Sequence, residues 1–319
     1  MNLSPRLSVL MSVYNGENYL EESINSILLQ TFEDYEFIII DDGSTDFTSS
    51  ILSSYAKKDM RIKVITNENN IGLIHSLNKG LHIASSNLVA RMDADDIAIP
   101  DRLKIQMDFM QAHPDVAVCG GFTTYLENPS KGDVHAISHE GIVAECFFHC
   151  PFAHPTVIMR KDKILELTSG YDLNDLYAED YGLWSRLVIS KKTRFANINK
   201  SLLKYRTHPN NIRIEYKKRQ RETANYIQKN MFLSLGVDIP LRDIDLLNHS
   251  EGKISIDNVK RCEYWLLKIE KCTDNMEHIE RIAFLKEIKN KKMYLWRKIR
   301  KNSISSILRY ISARLYYRK

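Results

Sequence analysis

The chain has 319 residues, of which 44% are hydrophobic and 27% are charged, a composition typical of a globular protein with one large or two modest domains. The five cysteines are odd in number and form no Cys-x-x-Cys pair, which favours free thiols in a reducing compartment. No run approaches about 18 consecutive apolar residues, so we expect no membrane-spanning helix. We also expect no N-terminal signal peptide, because the first residues are polar and the apolar run after them is short.

Charge is unevenly distributed along the chain. Residues 289–319 contain eleven Lys and Arg and no acid. The net charge of the whole chain is +5, so residues 1–288 carry 5 − 11 = −6. A mildly acidic body with a strongly basic end indicates an anionic partner, either a membrane surface or a nucleic acid.

Strands and helices are predicted to alternate through about the first 100 residues. Four runs rich in apolar and β-branched residues predict strands: residues 7–14, 35–40, 62–66 and 88–92. Between them, apolar residues at helical spacing, such as Leu20, Ile24 and Ile27, predict helices. Residues 37–40 are apolar on both faces, which is typical of a parallel strand covered by helices on each side. The pattern predicts a parallel, doubly wound α/β sheet.

An acidic cluster, Asp93-Ala94-Asp95-Asp96, follows the fourth predicted strand. Such a cluster repels itself and is costly to desolvate unless a cation or a basic partner is present. An Asp-x-Asp pair can place two oxygen ligands on one Mg²⁺ or Mn²⁺ ion, which takes substrate phosphates as further ligands. The alternative is a solvated turn in which Asp96 caps the next helix.

Two further polar clusters, Tyr14-Asn15 and Asp41-Asp42, also follow predicted strands. Ligands bind outside the carboxyl ends of the strands in such sheets, so we expect the three clusters to converge on one crevice. The glycine motifs of the dinucleotide-binding and P-loop folds are absent from the sequence, which disfavours both folds. Phosphate groups would then be held mainly by a metal ion.

The pattern changes after the acidic cluster. Pro100 predicts the first turn of a further helix, which His113-Pro114 ends. Residues 116–118 predict a strand that Gly120-Gly121 closes, and residues 122–150 predict strands and loops without a clear period. This stretch gives no separate indication of function.

A series of short motifs then identifies a resemblance. They occupy residues 7–15, 30–32, 41–46, 70–73, 90–96, 100–102, 152–156, 178–181 and 205–208. In this order and spacing they resemble the family-2 glycosyltransferases with the GT-A fold. The resemblance covers about residues 5–210, two-thirds of the chain. It implies a GT-A-like doubly wound sheet, mixed but mostly parallel, with flanking helices.

The resemblance also implies a division of the chain. Residues 1–210 would form the catalytic domain, with a nucleotide-sugar half to about residue 115 and an acceptor half over 116–210. Residues 211–288 are helical in pattern and predict a C-terminal helical extension. Residues 289–319 predict a basic amphipathic tail. Five apolar residues of the extension are expected to face a common core: Leu266, Ile269, Ile279, Ile282 and Leu285.

For the site, the resemblance implies a donor nucleotide-sugar, with UDP favoured by family habit. The implied donor-binding residues are Ser12, Tyr14, Asn15, Glu17, Asp42, Asn70, Arg91, Asp93 and Asp95. Asp95 would bind Mn²⁺ or Mg²⁺, and Asp93 would assist through a water molecule or by holding the donor's ribose and sugar. Asp96 is assigned to capping or to supporting contacts. His208 is either a further metal ligand or a surface histidine before Pro209.

The Glu179-Asp180 pair opens a predicted helix, where the macrodipole stabilises an anion, so one interpretation is a helix cap. The resemblance implies that Asp180 is instead the general base of an inverting transfer, with Glu179 as the alternative. His154 would shape the acceptor pocket. Cys146, His149, Cys150 and His154 include zinc-ligand types, but their apolar neighbours favour a buried segment with core thiols.

Relatives with this motif set build bacterial surface polysaccharides such as O-antigen or capsule, which implies a saccharide acceptor linked to a polyprenyl lipid. The tail mixes aromatic and basic residues, as interfacial membrane helices do, although a solvated helix is the alternative. We therefore expect a cytoplasmic protein at the inner face of the cell membrane, with no nucleic acid as partner. Two other classes are a non-catalytic nucleotide-sugar-binding or scaffold protein, and a nucleotidyltransferase. A nucleotidyltransferase would need a basic, phosphate-binding loop after the first strand, and Asn15-Gly16-Glu17-Asn18 is not one.

Overall fold

The structure is a computed structural model that describes residues 4–207, 214–248 and 254–300. Within these residues, a mixed sheet of eight strands has the order β3-β2-β1-β4-β7-β6-β8-β5. The strands are β1 (Leu7–Val13), β2 (Tyr35–Asp41), β3 (Ile62–Thr66), β4 (Leu88–Asp93), β5 (Ile97–Ala98), β6 (Val116–Tyr125), β7 (Ile158–Arg160) and β8 (Arg194–Tyr205). The helices are α1 (Leu20–Leu28), α2 (Thr48–Lys58), α3 (Leu73–Ile83), α4 (Arg102–Ala112), α5 (His139–Cys146), α6 (Lys161–Thr168), α7 (Glu179–Ser190), α8 (Ile214–Ser234), α9 (Leu241–Asn248), α10 (Ile256–Cys272) and α11 (His278–Arg300).

The first four strands form a parallel half-sheet in the order β3-β2-β1-β4. β2 is buried along its whole length, as the apolar run on both of its faces predicted. The carboxyl ends of these strands meet at one edge, where Ser12 of β1 lies beside Asp93 of β4. The predicted alternation of strands and helices is confirmed in this half, and each strand ends within one residue of its predicted end.

The second half of the sheet reverses direction. β7 is antiparallel to both β4 and β6, whereas β6 and β8 are parallel to each other. The short strand β5 is antiparallel to β8 and lies directly after the acidic cluster. The predicted mixed sheet with flanking helices is therefore confirmed.

Two predictions about the middle of the chain are wrong. β6 does not end at Gly120-Gly121 but continues through both glycines to Tyr125. A Cβ atom on Gly120 would lie 2.4 Å from Oδ1 of Asn197, and one on Gly121 would lie 2.4 Å from Cδ1 of Leu202, so the glycines allow β8 to pack closely. The stretch predicted as strands and loops contains the helix α5, whose eight residues have no distinct apolar face.

Among the C-terminal helices, α11 packs against α5 and α8 packs against α7. The ring of Phe147, just after α5, contacts the rings of Phe232 and Phe284, with centroids 5.9 and 4.9 Å away. The predicted common face is only partly correct. Leu266 and Ile269 are buried and Leu285 is half-buried, but Ile279 and Ile282 are exposed. On α11 Phe284 is buried instead, because this helix begins in a new register after a break at Thr273–Asn275.

The last described helix, α11, continues to Arg300, across the predicted start of the basic tail at residue 289. Two of its basic residues contact the protein itself: Lys292 forms an ion pair with Glu270, and Lys291 donates a hydrogen bond to Asn248. Residues 301–319 lie outside the described residues. Among the helices that are described, none combines the length and the apolar character needed to cross a bilayer.

Candidate active site

The acidic cluster at the end of β4 brings three carboxylates together. Oxygens of Asp93, Asp95 and Asp96 lie within 4.8 Å of one another. Arg91 forms an ion pair with Asp93. Arg206, which follows β8, donates from its main-chain nitrogen to Oδ1 of Asp96 at 2.9 Å and from Nε to the carbonyl oxygen of Asp95 at 2.8 Å. An arginine within β4 and an arginine that follows β8 therefore position the cluster.

The chemistry of this cluster fits the predicted divalent cation. Asp96 is fully buried, and its Oδ2 has no hydrogen-bond partner among the described residues. Burial, followed by the charges of Asp93 and Asp95, raises the pKa of Asp96 to about 8. A divalent cation would relieve this repulsion, and carboxylate oxygens are the ligands that Mg²⁺ and Mn²⁺ prefer. His208, named as a further ligand, lies outside the described residues.

Several predicted donor residues join two loops at the same edge of the sheet. Asn15, in the left-handed region with a φ of 51°, accepts a hydrogen bond from the main-chain nitrogen of Thr45 at 2.8 Å. Glu17 accepts one from the main-chain nitrogen of Phe47 at 2.9 Å. Tyr14 is about half exposed beside them. The loops after β1 and β2 are thus held together next to the acidic cluster.

Asp42 is buried and supports the loop before α3. Its carboxylate accepts four hydrogen bonds of 2.8–3.1 Å, from the side chains of Asn67 and Ser76 and from the main-chain nitrogens of Ile71 and Gly72. The side chain therefore fixes the start of α3. Asn70, another predicted donor residue, is exposed on this loop.

A cavity of about 550 Å³ adjoins Asp93, and we call it the active-site cleft. Its lining brings together five residues predicted for the site: Arg91, Asp93, His154, Glu179 and Asp180. The other predicted donor residues do not line it and lie at or near the adjoining strand ends. The cleft therefore joins the parallel half-sheet to the start of α7.

Asp180 lies in the first turn of α7 and is held by uncharged donors. Its Oδ1 accepts a hydrogen bond from the main-chain nitrogen of Tyr181 at 2.7 Å, and its Oδ2 accepts one from the thiol of Cys150 at 3.4 Å. Burial raises the pKa of Asp180. Burial, and then the charge of Asp180, raises the pKa of Glu179 to about 7. Carboxylates with raised pKa values are suited to accept a proton near neutral pH.

His154 forms part of the cleft lining and is itself buried. Its Nε2 lies 2.8 Å from the hydroxyl oxygen of Tyr171, and its ring contacts the edge of Trp184. Burial, together with the charge of Arg91, lowers the pKa of His154 well below its usual value. The imidazole is therefore neutral and rigidly held.

Arg91 is buried at the cleft and has hydrogen-bond donors without a partner among the described residues. One of its nitrogens pairs with Asp93, while Nε and Nη1 are buried without a hydrogen-bond partner in the described part of the chain. A buried donor without a partner is costly, so a ligand oxygen in the cleft would stabilise this side chain.

Sequence reasoning did not give roles to Arg206 or to Cys150. Arg206 lies in the motif at residues 205–208, so its membership of that motif already indicated a place near the site. Cys150 was weighed only as a core thiol or a zinc ligand. The other three residues of that group have different partners: Cys146 contacts Met231, His149 contacts Glu145, and His154 contacts Tyr171.

The mixed, mostly parallel sheet with its flanking helices has the GT-A architecture of glycosyltransferases. The family model for glycosyl transferase family 2 matches residues 8–168. An uncharacterized glycosyltransferase of Haemophilus influenzae is 35% identical over 254 residues, 75% of this chain and 78% of that protein. The amylovoran biosynthesis glycosyltransferase AmsE of Erwinia amylovora is 31% identical, over 71% of this chain and 83% of its own length. This chain belongs to glycosyl transferase family 2.

Solved structures share the fold. Staphylococcus aureus TarS 1–349 in complex with UDP-GlcNAc has a TM-score of 0.60 at 17% identity, over 92% of each chain. The mannosyltransferase PcManGT of Pyrobaculum calidifontis, in complex with GDP-Man and Mn²⁺, has a TM-score of 0.58 at 16% identity, over 97% of this chain and 88% of that one. At these identities the likeness concerns the fold, which is GT-A.

Proposed function

We propose that this chain is a metal-dependent, inverting glycosyltransferase that moves a sugar from a nucleoside-diphosphate sugar, a UDP-sugar, to a hydroxyl group of a saccharide acceptor. The observation that carries the proposal is the active-site cleft itself. It is lined by Arg91 and Asp93 at the end of β4 and by Glu179 and Asp180 at the start of α7. A transferase that binds a diphosphate and removes a proton from an acceptor needs both groups in one place.

On the donor side, Asp95 and Asp93 would hold the cation, Mn²⁺ or Mg²⁺, and Asp96 would support them. When bound, the ion neutralises the charge that develops on the departing diphosphate. The unpartnered nitrogens of Arg91 donate to the donor's phosphate or sugar oxygens. The joined loops that carry Tyr14, Asn15 and Glu17, with Ser12 beside Asp93, border the nucleoside.

On the acceptor side, Asp180 takes the proton from the attacking hydroxyl group. That oxygen then displaces the diphosphate from the anomeric carbon in one in-line step, so the configuration is inverted. Glu179, whose pKa is about 7, is the alternative base. The neutral His154 shapes the adjoining surface, against which an acceptor sugar can pack.

The pathway is part of the proposal. The relatives named above include one for amylovoran biosynthesis, which supports a role in a surface polysaccharide such as O-antigen or capsule, with a polyprenyl-linked acceptor. Ile279 and Ile282, which precede the basic tail, and Met293, which lies within it, are exposed on α11. Together with the basic residues of the tail they support attachment to the anionic inner face of the cell membrane.

The donor site is tested by thermal unfolding of the purified protein with UDP-, GDP- and dTDP-sugars, with and without Mn²⁺. Binding at about 100 times the dissociation constant adds about 2.7 kcal/mol to the free energy of unfolding. We expect a Mn²⁺-dependent rise in melting temperature with the UDP-sugar, which Asp95→Asn abolishes.

The matched control is Asp108→Asn, which changes an exposed carboxylate paired with Lys104 on α4 and should keep the full shift. A shift that Asp95→Asn retains would contradict the assignment of the metal site. The absence of any shift with well-folded wild-type protein would contradict the proposed donor class.

A further inference from the structure

A second cavity of about 500 Å³ lies between the catalytic domain and the C-terminal helices. We call it the extension cavity. Asp180 and Gln220 line both this cavity and the active-site cleft. The proposed base therefore lies where the two cavities meet, and a molecule that offers a hydroxyl group to Asp180 can continue into the extension cavity.

The lining of the extension cavity mixes apolar and polar side chains, and its charged side chains are mostly positive. Three basic side chains contribute to it, namely Lys217 and Arg221 on α8 and Lys291 on α11, against the single carboxylate of Asp180. Arg221 is neutralised by Asp245, with both side-chain oxygens of Asp245 at 2.5–2.6 Å from its nitrogens. Lys217 is exposed. Lys291 is therefore the cation whose charge needs an explanation.

Lys291 is only partly exposed and has no carboxylate within 4.0 Å of Nζ in the part of the chain that the structure describes. Its hydrogen-bond partner is the neutral Oδ1 of Asn248, at 3.0 Å. Burial lowers the pKa of Lys291 to about 8. The carboxylate of Glu287, one turn earlier on α11, acts on this ammonium group from beyond 4.0 Å, and an anionic ligand in the cavity would supply a closer counter-charge.

Lys291 is held in place by a continuous network of side-chain amides. Asn248 donates to the side chains of Gln228 and Asn225. Gln228 in turn donates to the carbonyl oxygen of Phe148 at 2.7 Å. Phe148 lies two residues before Cys150, whose thiol donates to Asp180. The network ties the extension to the catalytic domain and gives the cavity a fixed polar lining, as saccharide sites require.

We propose that the extension cavity is the subsite for the part of the acceptor beyond the attacking hydroxyl group, and that it selects a saccharide carrying an oxyanion, which Lys291 binds. This inference rests on the proposed transfer and gives its acceptor a chemical class. The oxyanion is either a uronic acid carboxylate or a phosphate ester, both of which an ammonium group binds. The C-terminal helices are then a specificity element and not only a structural support.

The test is calorimetric titration of the full chain with four probes: methyl glucuronide, glucose 1-phosphate, methyl glucoside and inorganic phosphate. We expect an oxyanion-bearing sugar to bind at least about tenfold more tightly than methyl glucoside, and Lys291→Gln to remove that difference. The control Lys286→Gln removes a positive charge from an exposed site on the same helix and should keep the difference in affinity between anionic and neutral sugars. The two anionic sugars distinguish a carboxylate from a phosphate.

A merely structural role for Lys291 makes a different prediction. Because a desolvated ammonium opposes folding, Lys291→Gln should keep or raise the melting temperature, whereas loss of a structural contact would lower it. Equal affinity for neutral and anionic sugars, no affinity for any of them, or inorganic phosphate binding as tightly as the sugars would each overturn the inference. The donor is measured separately by its Mn²⁺-dependent thermal shift, so failure of the subsite and failure of the transferase proposal are distinguishable.

Discussion

The two groups of carboxylates around the active-site cleft are surrounded in opposite ways. The cluster at the end of β4 is held by arginines, because Arg91 pairs with Asp93 and Arg206 donates to Asp96 and to the carbonyl of Asp95. Asp180 at the start of α7 is held by the main-chain nitrogen of Tyr181 and by a thiol, both uncharged. The first group is built to concentrate negative charge, and the second is left free to gain a proton.

The difference shows how one cleft can separate two tasks. In the β4 cluster, part of the rise in the pKa of Asp96 comes from the charges of its neighbours, which a divalent cation would offset. For Asp180, burial is the first cause that raises the pKa, and a cation bound at the β4 cluster would leave that burial unchanged. Donor binding and proton transfer should therefore respond to different substitutions.

The largest expected effect is on the rate of transfer in Asp180→Asn. The amide cannot accept the proton of the acceptor hydroxyl, and general bases contribute about 10²–10⁴-fold to such rates. We expect kcat to fall within that range while the KM for the donor is unchanged. In Glu179→Gln we expect a much smaller fall in kcat. A reversal of the two results would transfer the role of base to Glu179.

A third buried acid sharpens the comparison, because it shows that burial alone does not raise a pKa. Burial opposes ionisation of Glu145, but hydrogen bonds from His135, His149 and the main chain of Ala136 outweigh it and lower its pKa from 4.5 to about 2. Glu145→Gln should therefore lower the free energy of unfolding at neutral pH by about 3 kcal/mol.

The dependence of this loss on pH has a definite sign. Because the pKa of Glu145 is lower in the folded state, its carboxylate stabilises the fold fully only when the pH is above 4.5, the pKa of the unfolded state. This stabilisation is lost as the pH falls toward about 2, the pKa of the folded state. Urea unfolding of wild type and Glu145→Gln should therefore converge over that range. A difference that stays constant with pH would show that Glu145 acts through packing alone.

The smallest effects are two opposite shifts in the pH dependence of kcat/KM. Removing the charge of Glu179 in Glu179→Gln should make Asp180 easier to ionise and move the acidic limb to lower pH. Removing the thiol hydrogen bond in Cys150→Ala should make it harder to ionise and move the limb to higher pH, by less than about one unit. Cys150→Ser keeps a donor and is the matched control. Shifts in the same direction would contradict the account of Asp180.

The sequence predicted the parallel half-sheet well because its strands are continuous apolar runs and its helices carry one apolar face. It also predicted that Asp93 and Asp180 would share a site, since both belong to motifs of one family. It failed at α5, where Ile142, Ala144 and Cys146 are all buried in a helix of eight residues that is too short to show a period. It failed at Gly120-Gly121, where glycine serves close packing and not a turn.

The contacts that tune the site could not be predicted in the same way. Cys150 and Asp180 are 30 residues apart, and Lys291 is 43 residues from Asn248. Such pairs depend on how helices pack, and nothing in the local pattern of either partner indicates the other. Lys291 was assigned to the basic tail on composition, whereas the structure places it in the lining of the extension cavity.

The central claim is that donor binding and proton removal belong to separate carboxylates of one cleft. The most direct test is calorimetric titration of UDP with Mn²⁺ into Asp95→Asn and Asp180→Asn, alongside transfer assays of both. The account predicts that Asp180→Asn binds UDP as wild type does but transfers sugar about 10²–10⁴-fold more slowly, and that Asp95→Asn loses binding. Loss of Mn²⁺-dependent UDP binding in Asp180→Asn, or its retention in Asp95→Asn, would contradict it.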